Sequence, residues 1–241
     1  VDTVILAAGR NQRLQHIVPP YHKPFIVIDG KSVLGRAVDW PSRVYGHINR
    51  VIVVCAPENS LQAAHVVSGR AMLVVQPEAR GPGDALWHGL QLVRTPQVLV
   101  LMGDNVTTDE DLDKFYSSKV WTPVDPPKIG VQCMAGATRA RSFTVWNRSH
   151  RRWEEKVPIT DEHLETVVVS PDGTASQQVT CWFGPLVLNT ETALEVLDVA
   201  RVRPDGTVRP ELLIGPILSD LAPDAEQVRV STYDVDTEVL R

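Results

Sequence analysis

The chain has 241 residues, 43% of them hydrophobic and 22% charged, as in an ordinary globular protein built around one large domain. The formal net charge of −5 gives no general attraction to nucleic acid or anionic lipid, so a nucleic-acid-binding protein is disfavoured. No run of about 18 apolar residues spans a membrane. The first residues lack the basic start of a signal peptide, and Cys55, Cys133 and Cys181 read as buried free thiols, so a reducing, cytoplasmic location is expected.

The first half alternates strands and helices. Thr3 to Ala8 is a continuous apolar run, as expected of a strand buried on both faces. Arg50 to Cys55, Met72 to Gln76 and Val98 to Met102 repeat that character. Helices are predicted over Ser32 to Trp40, with Ser32 as N-cap, and over Glu58 to Val67, Pro82 to Val93 and Asp109 to Ser118. This alternation predicts a parallel sheet covered by helices, with ligands at the carboxyl ends of its strands. Those ends are Gly9, Pro77 and Gly103-Asp104-Asn105.

The second half has another texture. Trp121 to Lys128 is a proline-rich loop. Strands are predicted over Ile129 to Ala135, Ser142 to Trp146, Trp153 to Lys156, Glu165 to Ser170 and Gln178 to Leu188, with a turn at Pro171-Asp172-Gly173. Helices return over Thr190 to Ala200 and Pro210 to Leu221. A smaller, partly antiparallel region therefore follows the parallel half.

Five segments carry candidate chemistry. In the first, the strand ends in Ala7-Ala8-Gly9, whose small side chains let a ligand approach the main chain. Arg10, Arg13 and Lys23 follow; they are either converging phosphate-binding cations or solvated surface charges. The second, Gln76 to Leu86, holds Gly81, Gly83 and a glutamine able to donate and accept at a base edge. Asp84 there faces a ligand or serves the first turn of a helix. In the third, Asp104 follows a buried strand and suits Mg²⁺, or else fills a tight turn. The fourth is Trp153-Glu154-Glu155-Lys156-Val157-Pro158, which taken alone reads as a solvated face. In the fifth, Asp234 and Asp236 alternate along a strand and so share a face; Asp236 also suits a helix cap. No metal-ligand histidine spacing and no G-x-S-x-G nucleophile occur.

Leu6-Ala7-Ala8-Gly9, Arg13-Leu14 and Lys23-Pro24, with Gly103-Asp104, resemble the signature of the nucleotidyltransferase superfamily that includes the sugar-1-phosphate nucleotidylyltransferases. Asn11, Gln12 and His22 depart from the family's G-x-G-T-R-L and P-K-P pattern. The resemblance implies a Rossmann-like α/β fold of the nucleotide-diphospho-sugar transferase type: a mixed, mainly parallel sheet flanked by helices, with a smaller acceptor-binding region. It implies one domain over 1–241, with nucleotide bound by 1–120 and acceptor by 121–241. Ala7, Ala8, Gly9, Gln76 and Gly81 would bind the nucleotide. Arg13 would hold the leaving pyrophosphate and Lys23 the reacting phosphates. Glu155 and Lys156 would bind the acceptor, and Asp104 and Asp236 would hold Mg²⁺. Trp182 and Phe183 would stack on a ring or pack in the core.

The function so implied is Mg²⁺-dependent transfer of a nucleoside monophosphate from an NTP to a sugar 1-phosphate, releasing pyrophosphate. Its partners are small molecules, with neither nucleic acid nor membrane, and with homo-oligomers common in the family. A cytidylyltransferase acting on a phosphoalcohol such as phosphocholine is the main rival. A glycosyltransferase and a nucleotide-binding regulatory protein with a decayed site are the others.

Overall fold

The computed structural model describes residues 1–9, 22–45, 50–116, 127–135, 144–155, 157–168, 175–221, 225–229 and 232–234. The first apolar run becomes strand β1 (Asp2–Ala7). Along it Val4, Leu6 and Ala8 enter one core layer, while Ile5 and Ala7 enter the other. Burial on both faces demands apolar residues at successive positions, hence the absence of polar alternation. A 3-10 turn at Lys23–Phe25 leads into a small hairpin, β2 (Val27–Ile28) with β3 (Lys31–Ser32). Helix α1 (Val33–Tyr45) follows. Ser32 caps it as predicted, its Oγ accepting the Gly35 N–H at 3.0 Å. The helix continues through Pro41, past the predicted end at Trp40; burial of Val33, Leu34, Val38 and Trp40 holds this face on the sheet despite the missing donor.

Next come β4 (Val51–Cys55), α2 (Ser60–Val67), β5 (Met72–Val75), α3 (Pro82–Leu90) and β6 (Gln97–Met102). β1 lies between β4 and β6, and β5 flanks β4, all parallel. The four predicted strands agree to within a residue at each end. α2 starts at Ser60 rather than Glu58, because Pro57–Asn59 forms a 3-10 turn. α3 stops at Leu90, three residues short of the predicted Val93. β7 (Asn105–Thr107), which the sequence did not suggest and which belongs to a separate two-stranded sheet, and α4 (Asp109–Tyr116) follow.

The second half supplies β8 (Lys128–Ala135), β9 (Thr144–Asn147), β10 (Arg152–Glu155), β11 (Leu164–Val168) and β12 (Ala175–Asn189). β12 pairs antiparallel with β8, β9 and β11. Its last residues, Leu186 to Asn189, pair antiparallel with β6. One strand thus joins both halves in the order β10-β9-β12-β6-β1-β4-β5. α5 (Thr190–Arg201) begins at Asn189, whose side chain accepts the Thr192 N–H.

The predicted helix from Pro210 to Leu221 is corrected: α6 covers only Ile214–Leu221. Residues 210–213 form an extended strap. Leu212 N donates to Arg80 O at 2.7 Å, and Gly83 N donates to Leu212 O at 3.0 Å. Proline suits the first turn of a helix as well as a strap, so Pro210 drew the predicted start four residues too early. β13 (Glu226–Arg229) pairs parallel with β8, and β14 (Thr232–Asp234) pairs antiparallel with β7. Residues 121–126 of the proline-rich loop and the turn at Pro171-Asp172-Gly173 lie outside the described residues. Cys55 and Cys181 are buried free thiols; the Cys133 side chain is not among those described. No helix among the described residues is long and apolar enough to cross a membrane.

Candidate active site

The carboxyl ends of β1, β5 and β6 open into a cavity of about 680 Å³. Two local devices set the ends of β1 and β6. Asn59, buried, donates from Nδ2 to Ala7 O at 3.2 Å and accepts the Ala56 N–H at 2.9 Å. This ties the exit of β1 to the exit of β4. Gly103 N donates to Leu6 O at 2.8 Å. A Cβ on Gly103 would stand 2.9 Å from Ala7 Cβ and 3.0 Å from Leu6 O. Glycine therefore lets β6 turn against β1, and Asp104 lands on the cavity wall.

Lys23 is buried in the 3-10 turn, with Nζ 3.9 Å from Asp104 Oδ2. A lysine held out of water on a cavity wall, beside a carboxylate, is placed to meet a polyanion. Asp104 keeps about a third of its side-chain surface exposed, toward the cavity.

Gln76 and Gly81 also line the cavity. Gly81 has φ +87°, and a Cβ there would meet Leu212 O at 2.7 Å. Both the left-handed backbone and the strap thus require glycine. Gln76 is used differently from expectation. Its Nε2 donates to Gly81 O at 3.1 Å and to Asp84 Oδ2 at 2.8 Å. The donor half of the amide is spent inside the protein. Asp84 is in the first turn of α3, yet it is buried and turned toward α5, where Arg201 Nε donates to its Oδ1 at 2.9 Å.

On β10 successive side chains take opposite faces. Glu155 lines the cavity, and its Oε2 accepts the N–H groups of Ile214 and Gly215 at 3.0 and 3.2 Å. It caps the first turn of α6, where donors lack partners and negative charge is favoured. Glu154 joins a separate cluster with Arg152 at 2.6 Å, His163 Nε2 at 3.1 Å and Asn147 at 3.3 Å. Burial alone would raise the Glu154 carboxyl, but hydrogen bonds from Arg152, His163 and Asn147 outweigh it and hold it low. Neither acid is a solvated charge. Trp182 packs in the core with Trp153 and Leu186 rather than lining the cavity; the Phe183 side chain is not described.

The cavity thus brings together Ala7, Ala8, Gly9, Lys23, Gln76, Gly81, Asp104 and Glu155, from five stretches of chain. Arg10, Asn11, Gln12, Arg13, Lys156 and Asp236 lie outside the described residues. β14 ends at Asp234, opposite Asn105. Sequence reasoning missed Asn59, the Pro210–Glu211 part of the strap that lines the cavity, and Arg201. A buried acid such as Asp84 demands a partner, which was the one available signal for Arg201. Among the described residues no three His, Cys, Asp or Glu side chains converge to hold a metal. Mg²⁺ needs only one or two carboxylates when phosphates and water complete its shell, so Asp104 on an open wall fits it.

Solved structures share this architecture. The inositol-1-phosphate CTP transferase from T. maritima matches with a TM-score of 0.69 at 12% identity, covering 98% of this chain and 89% of that one. A putative glucose-1-phosphate thymidylyltransferase from Bacillus anthracis matches with a TM-score of 0.69 at 17% identity, covering 97% and 89%. HddC from Yersinia pseudotuberculosis gives 0.64 at 16% identity, covering 97% and 93%. In sequence, the Bifunctional protein GlmU of Pseudomonas aeruginosa is 31% identical over 104 residues. That stretch spans 43% of this chain and only 22% of the relative. The model of the MobA-like NTP transferase domain matches residues 3–142, more than half of the chain. The chain belongs to the family of MobA-like NTP transferase domains, and its enzyme class is that of the nucleotidyltransferases.

Proposed function

We propose that this protein transfers a nucleoside monophosphate from an NTP to a sugar 1-phosphate and releases pyrophosphate, with Mg²⁺ held by Asp104 and Asp236. Supporting this is one cavity into which a buried lysine, an open carboxylate, a glutamine and glycine pair, and Glu155 all converge. Residues 1–120 bind the nucleotide and 121–241 the acceptor, within a single domain.

An ionised oxygen of the acceptor phosphate attacks the α-phosphorus. A new P–O bond forms while the bond to the β-phosphate oxygen breaks, and that electron pair leaves with pyrophosphate. The acceptor phosphate is already ionised at neutral pH, so no proton needs to move. Catalysis is positioning plus charge neutralisation. Lys23 binds at the α-phosphate, Arg13 neutralises the pyrophosphate, and Gly9 lets the phosphates lie against the backbone. Lys156 takes the acceptor phosphate, and Glu155 accepts from acceptor hydroxyls. Mg²⁺, when bound, supplies further neutralisation of phosphate oxygens.

The test is pyrophosphate release in Mg²⁺, with each common NTP and dTTP against sugar 1-phosphates and phosphoalcohols. Release should require an acceptor and fall by about 100-fold or more in Asp104→Asn. Activity retained by that variant sinks the metal assignment. A second reading, cytidylyl transfer to a phosphorylated alcohol, draws on the equally good fold match to an inositol-1-phosphate CTP transferase. Turnover with CTP and phosphoalcohols but with no sugar 1-phosphate would select it.

A further inference from the structure

Gln76 lines the cavity while only 3% of its surface is exposed. Both groups that receive its Nε2, the Gly81 carbonyl and the Asp84 carboxylate, act as acceptors. The amide orientation is therefore dictated by its neighbours: nitrogen toward Asp84, oxygen away from it. Among the described residues no other group hydrogen-bonds this side chain.

Asp84 is held just as firmly. It is 2% exposed, and Arg201 donates to the oxygen that Gln76 leaves. The Arg201 guanidinium lies 3.5 Å from the centroid of the Trp87 ring, and Trp87 Nε1 donates to Asp198 at 2.6 Å. Arg201 is thus fixed by an aromatic face as well as by charge. His88 Nε2 stands 3.5 Å from Asp84 Oδ2. Burying a carboxylate needs such partners. What this arrangement adds, beyond satisfying a buried acid, is a single orientation for a glutamine on a ligand cavity.

We infer that Asp84 and Arg201 are positioning residues for base recognition: they occupy the Gln76 donor, so the site offers the base an acceptor, Oε1, and selects a base edge with an N–H at that point. The inference rests on the reading that the cavity binds an NTP with its base at Gln76. Asp84→Asn keeps the shape, and Arg201 keeps an oxygen partner. The new Nδ2 would then oppose the Gln76 Nε2, donor against donor. Gln76 would either invert, setting its oxygen against the Gly81 carbonyl, or withdraw. Either movement removes the acceptor from the base.

The experiment is calorimetric titration of the full chain with each NTP and Mg²⁺, without acceptor, for wild type, Asp84→Asn, Gln76→Ala and the double variant. Asp84→Asn should weaken the preferred NTP about tenfold. The double variant should bind no more weakly than Gln76→Ala alone, because Asp84 acts through Gln76. Additive losses in the double variant, or unchanged binding in Asp84→Asn, would overturn the inference. NMR of the wild type covers the case in which Asp84→Asn does not fold. The Gln76 side-chain NH₂ signals, assigned by their loss in Gln76→Ala, should be protected from exchange with and without nucleotide. Rapid exchange in the free protein, or deprotection on binding, refutes the fixed orientation. Protected signals in a wild type that binds no nucleotide would instead retire the proposed function and leave the amide geometry standing.

Discussion

Replacing Gly103 by alanine should damage both the fold and the site, whereas the same change at Gly9 should spare the fold. At Gly103 the new methyl would stand 2.9 Å from Ala7 Cβ, about half an ångström or more inside ordinary carbon–carbon contact. It would also stand 3.0 Å from Leu6 O, in the chain segment that receives the Gly103 N–H. Neither neighbour can rotate away, since one is an alanine methyl and the other is backbone. The ends of β1 and β6 must separate. Such overpacking costs about 1–3 kcal/mol, or roughly 2–12 °C in Tm for a domain of this size. Asp104 is carried along. Scaling from about 100-fold per ångström of misplacement, kcat should drop about tenfold. At Gly9 no described atom lies within 4 Å of the added methyl, and the backbone is not left-handed. Its Tm should hold or rise slightly. Yet the methyl would occupy space that the proposed reading gives to phosphates, so nucleotide affinity should fall about fivefold or more. Thermal melts and nucleotide titrations on both variants decide the matter. A Gly103→Ala protein with unchanged Tm would refute the close approach. A Gly9→Ala protein with full affinity would refute the role of the open backbone.

Three more predictions follow from the geometry. Glu155→Ala strips the cap from α6 and should lower stability by about 0.5–2 kcal/mol; in assays, the acceptor KM should rise while the NTP KM stays unchanged. Burial pushes the His88 imidazole below its ordinary value, against the pull of Asp84. Its neutral form therefore stabilises the fold fully above about pH 6.5, and that contribution is lost as pH falls through the depressed pKa. Urea midpoints for wild type should fall more between about pH 7.5 and 5 than those for His88→Gln. Burial also raises the Cys55 thiol, so native Cys55 should resist thiol reagents that label it fast in denaturant.

The parallel half was legible because β1, β4 and most of β6 are buried on both faces, which leaves uninterrupted apolar runs such as Val51 to Cys55; β5 shows an apolar run too but lies at the sheet edge with Met72 and Val75 exposed, so its expected two-sided burial is corrected. The position of Asp104 was legible for a similarly local reason: a glycine and an acid directly after a buried strand. Other features depend on distant partners. Arg201, the charged partner of Asp84 on α5, lies 117 residues away, and no local pattern announces it. Gln76 was credited with a donor it does not have to give because nothing local showed Asp84 buried and turned back onto its Nε2. The strap at 210–213 reads as a helix start until Arg80 and Gly83 offer their backbone. β7 is three residues long and pairs only with β14, too short to rise above the background of apolar residues in loops, whereas the strand that carries Asp234 was read from its alternating acids.

The region of family likeness ends at residue 142, well before β12 begins at Ala175. Yet Val98 and Val100 of β6 obtain their sheet neighbours on one side from Leu188 and Leu186 of β12. A fragment cut at 120 or 142 would present β6 as a bare, apolar strand edge, the kind of surface that recruits other chains into aggregates. It would also lose α5 and α6, whose Ala193, Leu197, Ile217 and Leu218 share a core layer with Ala85, Leu86 and Leu90 of α3. The first half is therefore no detachable module. Any graft that exchanges acceptor specificity between relatives has to keep β12 with the sheet it completes, and place its junctions in the loops beyond.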